Sequence, residues 1–336
     1  MDKQLILAVA GSGKTYHIVK QLDLKNRYLL ITYTISGIKS IKNEVINQFG
    51  YLPKNIKIKN YFSFLYSFCY KPFFADEYND RGITWNYPKS FFDNSFFTKN
   101  NYLYHNRISK LLIDQDNILD VRSRLEKYYD YVLFDEIQDF GGNDFNFLLE
   151  LTKSKVKFLL VGDFFQHTFD TSRDKKTNQN LYSSLAKYIA RFKTAGFNFD
   201  DFTLIKSRRC SKTTCEFIQN RVGIRIESNS NRITECKLID NKEEAQKILS
   251  NNSIVKLFLT RHYNYSCRSD NWGACKGLGY EDVCVIVNDE LYKKIKSENI
   301  ITFKSRITRN KFYVACSRTK NNLYFVHNKF VKEFKN

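Results

Sequence analysis

The sequence predicts an α/β protein of two doubly wound lobes, each built on a parallel sheet. Three observations carry that prediction. Short apolar runs alternate with helical patterns along most of the 336 residues. A glycine-rich loop separates the first apolar run from the first helical pattern. A later apolar run ends abruptly in two acids, Asp135 and Glu136.

Taken in order, residues 5–9 read as a strand and 14–22 as the helix after it. Residues 28–34 form a second strand, followed by a helix over 38–49. The run at 131–134 delivers Asp135-Glu136, and the run at 157–161 delivers Gly162-Asp163. Strands followed by helices at this spacing are βαβ units, hence parallel pairing. A second alternation begins with a strand near 202–205 and continues through 283–287 and 323–326. The boundary falls near Ala195-Gly196, after a helical stretch over 181–193, giving lobes 1–195 and 196–336. The first lobe carries a small insertion, about 66–128. From 61 to 104 the chain is dense in Phe and Tyr, with Trp85, Lys71, Arg81, Lys89 and Lys99 among them. Interleaved rings and cations suit a single strand of nucleic acid. A small insertion packing on its own aromatic core reads equally well.

Lys and Arg number 54 against 35 for Asp and Glu, a net charge of +19. Such an excess repels itself unless a polyanion offsets it, and phosphate neutralisation releases counterions. The eight cysteines have no pairing or Cys-x-x-Cys pattern, so buried thiols in a reducing, cytoplasmic setting are expected rather than zinc. The first apolar run leads straight into the glycine loop, which marks a buried strand and not a signal peptide. No run is long enough to span a membrane.

Ala8-Val9-Ala10-Gly11-Ser12-Gly13-Lys14-Thr15 fits a phosphate-binding loop in its required context, after a strand and before a helix. The small residues Ala10, Gly11, Ser12 and Gly13 let backbone N–H groups wrap an anion at a helix N-terminus. Lys14 reaches the β- and γ-phosphates, and Thr15 ligates Mg²⁺. Asp135 holds the same ion through water, and Glu136 orients or deprotonates the attacking water.

Asp135-Glu136-Ile137-Gln138-Asp139 resembles the Asp-Glu-x-Gln-Asp box of UvrD/Rep-like superfamily 1 helicases, whose other boxes follow in order. Thr32-Tyr33-Thr34 and Tyr61-Phe62-Ser63-Phe64 resemble two boxes that touch single-stranded DNA. Val161-Gly162-Asp163-Phe164-Phe165-Gln166 resembles the box whose Gln senses the γ-phosphate. Ser207-Arg208-Arg209 resembles the Asn-Tyr-Arg box, which makes Arg209 an arginine finger. Lys276-Gly277-Leu278 resembles the fifth box, with Gly277 at the nucleotide. Tyr313-Val314-Ala315-Cys316-Ser317-Arg318 resembles the last box, which makes Arg318 a second finger. Phe169 matches an aromatic that stacks on a base. The resemblance runs from 5 to 326 and implies two RecA-like lobes using ATP and Mg²⁺. Departures concern the base: Gln4 lies too close to the loop to read adenine, Arg208 stands where a stacking Tyr is usual, and Gly273 and Gly279 replace His and Glu. Another NTP is therefore admitted.

The resemblance implies a nucleic-acid-dependent ATPase that translocates 3′→5′ on single-stranded DNA, with RNA as the alternative strand. The large accessory domain of UvrD has no counterpart between 211 and 270. A second class fits the same boxes: a non-unwinding ATP- and DNA-binding subunit that controls a partner nuclease, as in phage-defence systems. A small-molecule kinase would share the phosphate loop, but not the two arginine boxes or the charge.

Overall fold

The computed structural model describes residues 2–90, 93–169, 174, 176–297 and 299–336. The chain divides into two compact units. One comprises Met1–Leu7, Lys14–Phe164 and Phe169–Asp200; the other comprises Ala8–Gly13, Phe165–Thr168 and Asp201–Asn336.

The first unit is a six-stranded parallel sheet. Its strands are β1 (Lys3–Leu7), β2 (Tyr28–Thr32), β3 (Ile56–Asn60), β4 (Tyr131–Phe134), β5 (Lys157–Gly162) and β6 (Asn198–Asp200), in the order β3-β2-β4-β5-β1-β6. The interior strand β2, Tyr-Leu-Leu-Ile-Thr, is buried along its whole length, as expected of a parallel strand covered on both faces. At the edge, β3 reads Ile-Lys-Ile-Lys-Asn and is mostly half-exposed, its lysines discouraging further pairing. Helices α1 (Lys14–Lys20) and α2 (Ile35–Phe49) form the first crossovers. Thr34 caps α2 by accepting from the Gly37 N–H at 3.0 Å, and Gly50 ends it in the left-handed region at φ 80°.

After β3 comes a helical run over 61–78, started by Asn60 accepting from the Ser63 N–H, widened into a π segment at Phe64–Tyr70 and completed by Lys71–Tyr78. A short parallel pair, Ile83–Thr84 with Leu103–Tyr104, follows it. Helices α3 (Ile108–Asp114) and α4 (Ile118–Tyr128) return the chain to β4, and α5 (Gly142–Leu151) links β4 to β5.

The second unit holds a five-stranded parallel sheet: β7 (Cys236–Ile239), β8 (Val255–Phe258), β9 (Ser269–Asn271), β10 (Val283–Val287) and β11 (Leu323–His327), ordered β7-β11-β10-β8-β9. Helix α6 (Arg306–Cys316) packs Phe312 and Val314 into its core. Two mixed α/β units with parallel sheets have the predicted RecA-like architecture. One element differs: 202–205 is not a strand. The adjacent Asn198–Asp200 is, and it closes the first sheet beside β1. The apolar pair Leu204-Ile205 is buried for another reason, since the Leu204 carbonyl accepts from the Val9 N–H at 3.0 Å.

All eight cysteines are free thiols. Among the described residues, no helix is long and apolar enough to cross a membrane, and no group of three His, Cys, Asp or Glu could hold a metal.

Candidate nucleotide and nucleic-acid sites

The loop between β1 and α1 owes its shape to two glycines. Gly11 at φ 72° and Gly13 at φ 88° lie where L side chains are strained. Gly11 is also required by space: a Cβ there would stand 2.7 Å from Arg209 Cβ and 2.8 Å from Ser207 Oγ. The loop is tied down by Ala10 N–H donating to the Tyr313 hydroxyl at 2.8 Å and by Arg208 N–H donating to the Gly11 carbonyl at 2.8 Å. Ser12 Oγ is buried and has no hydrogen-bond partner among the described residues.

Lys14 and Thr15 open α1. Thr15 Oγ1 donates to Asp135 Oδ2 at 3.3 Å. Asp135 is buried at the end of β4, and burial, then repulsion from Glu136, raises its pKa to about 7; Lys14 and the Thr15 hydroxyl oppose the rise. One hydroxyl and one carboxylate oxygen side by side are the sparse oxygen set that Mg²⁺ takes from a protein when phosphates and water complete its shell. The donors therefore fit the ion.

Glu136 follows at φ 59°, a left-handed conformation rare for a glutamate and held by its surroundings. The Gln138 amide donates to the Glu136 carboxylate, while Gln138 Oε1 accepts from Asp163 N–H at 2.8 Å. Gln138 thus clamps the acid to the end of β5. The sequence displays Gln138 inside the box, but spacing alone gives it no task.

In the second unit, Arg209 donates to the Ser317 carbonyl at 3.2 Å. Arg318 is 1% exposed and donates to the carbonyls of Val314 at 2.9 Å and Leu278 at 3.2 Å and to Ser317 Oγ at 3.1 Å. Neither guanidinium pairs with a carboxylate among the described residues. Burial, and then Arg318, lowers the Arg209 pKa to about 10. Gly279 gives Arg209 room, since a Cβ there would lie 3.2 Å from its Nε. Gly277 adopts φ 86° one residue before Leu278, whose carbonyl Arg318 holds. Gln166 is buried at the end of the turn Phe164–Gln166. The neighbouring His167 carbonyl accepts from Asn310 Nδ2 of α6 at 2.8 Å.

The expected strand-contacting residues separate by burial. Thr32 is 0% and Tyr61 1% exposed, so both side chains lie in the core of the first unit. Thr32 ends the buried strand β2, and the Tyr61 hydroxyl bonds Ser109 Oγ at 3.1 Å in the core. Tyr33 and Phe62 are half-buried, while Thr34 and Ser63 are exposed. Phe169 is 51% exposed. The aromatic stretch divides between core and surface. Phe64, Tyr70 and Phe74 are core, whereas Trp85 stands 61% exposed with its ring edge-on to Phe62 at 4.8 Å.

The profile of the family described as the viral superfamily 1 RNA helicase core domain matches residues 97–327, more than half of the chain. The chain belongs to that viral superfamily 1 helicase family. It thus shares a superfamily with the UvrD/Rep-like helicases that its boxes resemble. Among solved structures, this superfamily 1 chain is similar to the arterivirus nonstructural protein 10 helicase in complex with DNA, with a TM-score of 0.51 and 13% identity over 96% of this chain and 60% of that one. The same arterivirus helicase in another crystal structure gives a TM-score of 0.51 and 13% identity over 98% and 60%. At that identity the likeness is one of fold, and the chain spans about 60% of the length of those helicases. No curated protein matches it.

Proposed function

We propose that the chain hydrolyses ATP when it binds a single strand of nucleic acid and uses the cycle to translocate along that strand. In this reading residues 1–195 form the ATP-binding lobe, and 196–336 form the lobe that supplies the arginine fingers. The observation that carries it is Arg209, packed on Gly11 of the phosphate loop beside Arg318, with no carboxylate on either guanidinium among the described residues. One buried and one half-buried cation at an anion-binding loop call for an anion whose charge grows during reaction.

The geometry and the box resemblance support the following roles. The loop N–H groups, Ser12 Oγ and Lys14 bind the phosphates. Thr15 and Asp135 would hold Mg²⁺, which when bound neutralises charge on the β- and γ-phosphates. Glu136, oriented by Gln138, takes the proton of the attacking water. Gln166 reports the γ-phosphate. Arg209 and Arg318 stabilise the charge of the transferring group, and Gly277 lets the backbone approach the nucleotide.

Tyr33, Thr34, Phe62, Ser63 and Phe169 supply rings and hydroxyls for the strand. The net charge of +19 supports binding that is steeply salt-dependent and nearly blind to sequence. The box-by-box resemblance to UvrD/Rep-like enzymes supports single-stranded DNA and 3′→5′ motion. The family's description names RNA, which makes RNA the second strand to test. The test is ATP turnover with and without single-stranded DNA, single-stranded RNA and duplex, beside unwinding of 3′- and 5′-tailed duplexes. Stimulation by a single strand and preference for a 3′ tail are expected. Absence of turnover, or turnover indifferent to every strand, would overturn the reading. Strand-stimulated turnover without unwinding would leave the motor and remove the helicase.

A further inference from the structure

Phe140 lies four residues after Glu136 and is fully buried, yet no step of the proposed chemistry uses it. Its backbone N–H donates to the Ile137 carbonyl at 3.2 Å, closing the turn that begins at the left-handed Glu136. Its ring is a hub. It meets Tyr61 at 4.6 Å, Tyr33 at 5.3 Å and Phe134 at 5.4 Å, each edge-on. Tyr33 in turn stacks on Tyr61 at 5.3 Å and meets Phe62 at 5.5 Å, and Phe62 meets the exposed Trp85.

A second link runs parallel to the rings. The Tyr33 hydroxyl donates to Asp144 Oδ2 at 3.1 Å, and Ser109 Oγ donates to the other carboxylate oxygen. Asp144 is wholly buried in α5, the helix that starts two residues after Phe140. A buried carboxylate that receives two hydroxyls is costly to rearrange, so it fixes the Tyr33 ring in one place. Tyr33 and Phe62 are the half-buried rings of the series. Close-packed rings respond to displacement by switching between discrete arrangements and not by yielding smoothly.

We propose that Phe140 and Asp144 are positioning residues that couple strand binding to hydrolysis: a nucleic acid seated on Tyr33 and Phe62 moves the Phe140 ring and, through it, the Glu136 turn. The inference rests on the function proposed above and adds how the strand is sensed. It predicts that the link can be cut without touching either site. In Phe140→Leu, turnover without nucleic acid and the strand concentration giving half-maximal stimulation both stay at the wild-type values. The maximal stimulation falls on the order of tenfold, the size of an ordinary coupling between sites. Loss of packing alone would lower the melting temperature and turnover together and would leave the stimulation ratio in place. Asp144→Asn keeps the side chain's size and one acceptor, and it serves if the leucine variant folds poorly; its stimulation falls in the same direction by less. Folded variants stimulated like the wild type would overturn the relay alone. A wild-type protein that no strand stimulates would overturn the proposed function, and the relay with it.

Discussion

Each of the two units holds a charged group that burial strains toward neutrality, an acid in one and a base in the other. In the first unit Asp135 is pushed up to about 7 at the end of β4. In the second, Arg209 is pushed down to about 10 beside Arg318. On the function proposed above, an acid and a base both driven toward their uncharged forms are groups that a bound ligand of opposite charge would stabilise. The acid end fits a cation and the basic end fits a phosphate. The contrast predicts that removing a charge on either side costs catalysis without costing the fold.

Arg209→Ala tests the basic end and has the largest expected effect. Turnover should fall on the order of 10³–10⁵, as for other arginine fingers, with ATP affinity much less affected. The melting temperature should hold or rise, because a desolvated guanidinium repelled by Arg318 is gone. A protein that melts early but turns over normally once folded would make Arg209 a structural residue and end the comparison.

On the acidic end, Glu136→Gln should lower turnover by about 10²–10⁴ while ATP still binds, the loss expected of a missing general base. Glu136→Gly sharpens the point. It should be as inactive, yet more stable by about 1–3 kcal/mol, because glycine accepts φ 59° without strain. Chemical denaturation of the two variants gives that difference directly; a glycine variant less stable than the glutamine one would show that the turn is not strained.

What the sequence shows and hides follows from burial. The strands at 28–32, 131–134 and 283–287 are legible because parallel strands covered on both faces become unbroken apolar runs. The edge strand β3 is not, since its Ile-Lys alternation matches many exposed segments, and the three-residue β6 is too short to show a period. The phosphate loop, Asp135, Glu136 and the two arginines are legible because their chemistry fixes residue type and spacing. Gln138 and Tyr313 are not: each acts through a partner distant in the chain, respectively Asp163 and Ala10. Neither is the difference between Tyr61 and Phe62, neighbours of the same chemical kind whose burial is set by Ser109 and Trp85.

That last pair yields the smallest expected effect and a direct test of where the strand lies. Tyr61 is core, so Tyr61→Ala should cost about 3–5 kcal/mol of stability, with the folded fraction binding a single strand as before. Trp85 is the exposed end of the same aromatic series, packed edge-on against Phe62 and tilted on His105 at 5.4 Å. Trp85→Ala removes little buried surface, so its melting temperature should match the wild type. If a base stacks on that face, single-strand affinity should fall by about 1–3 kcal/mol for either DNA or RNA, because every base offers a ring. Phe62→Ala should fall between the two, losing some stability and some affinity, since its half-buried ring belongs to both the core and the exposed face. Fluorescence titration of a labelled strand beside thermal melts of the three variants orders them. Should Trp85→Ala bind as tightly as the wild type while Phe62→Ala only melts early, the insertion would be a packing device and the strand would lie along Thr34, Ser63 and Phe169 alone.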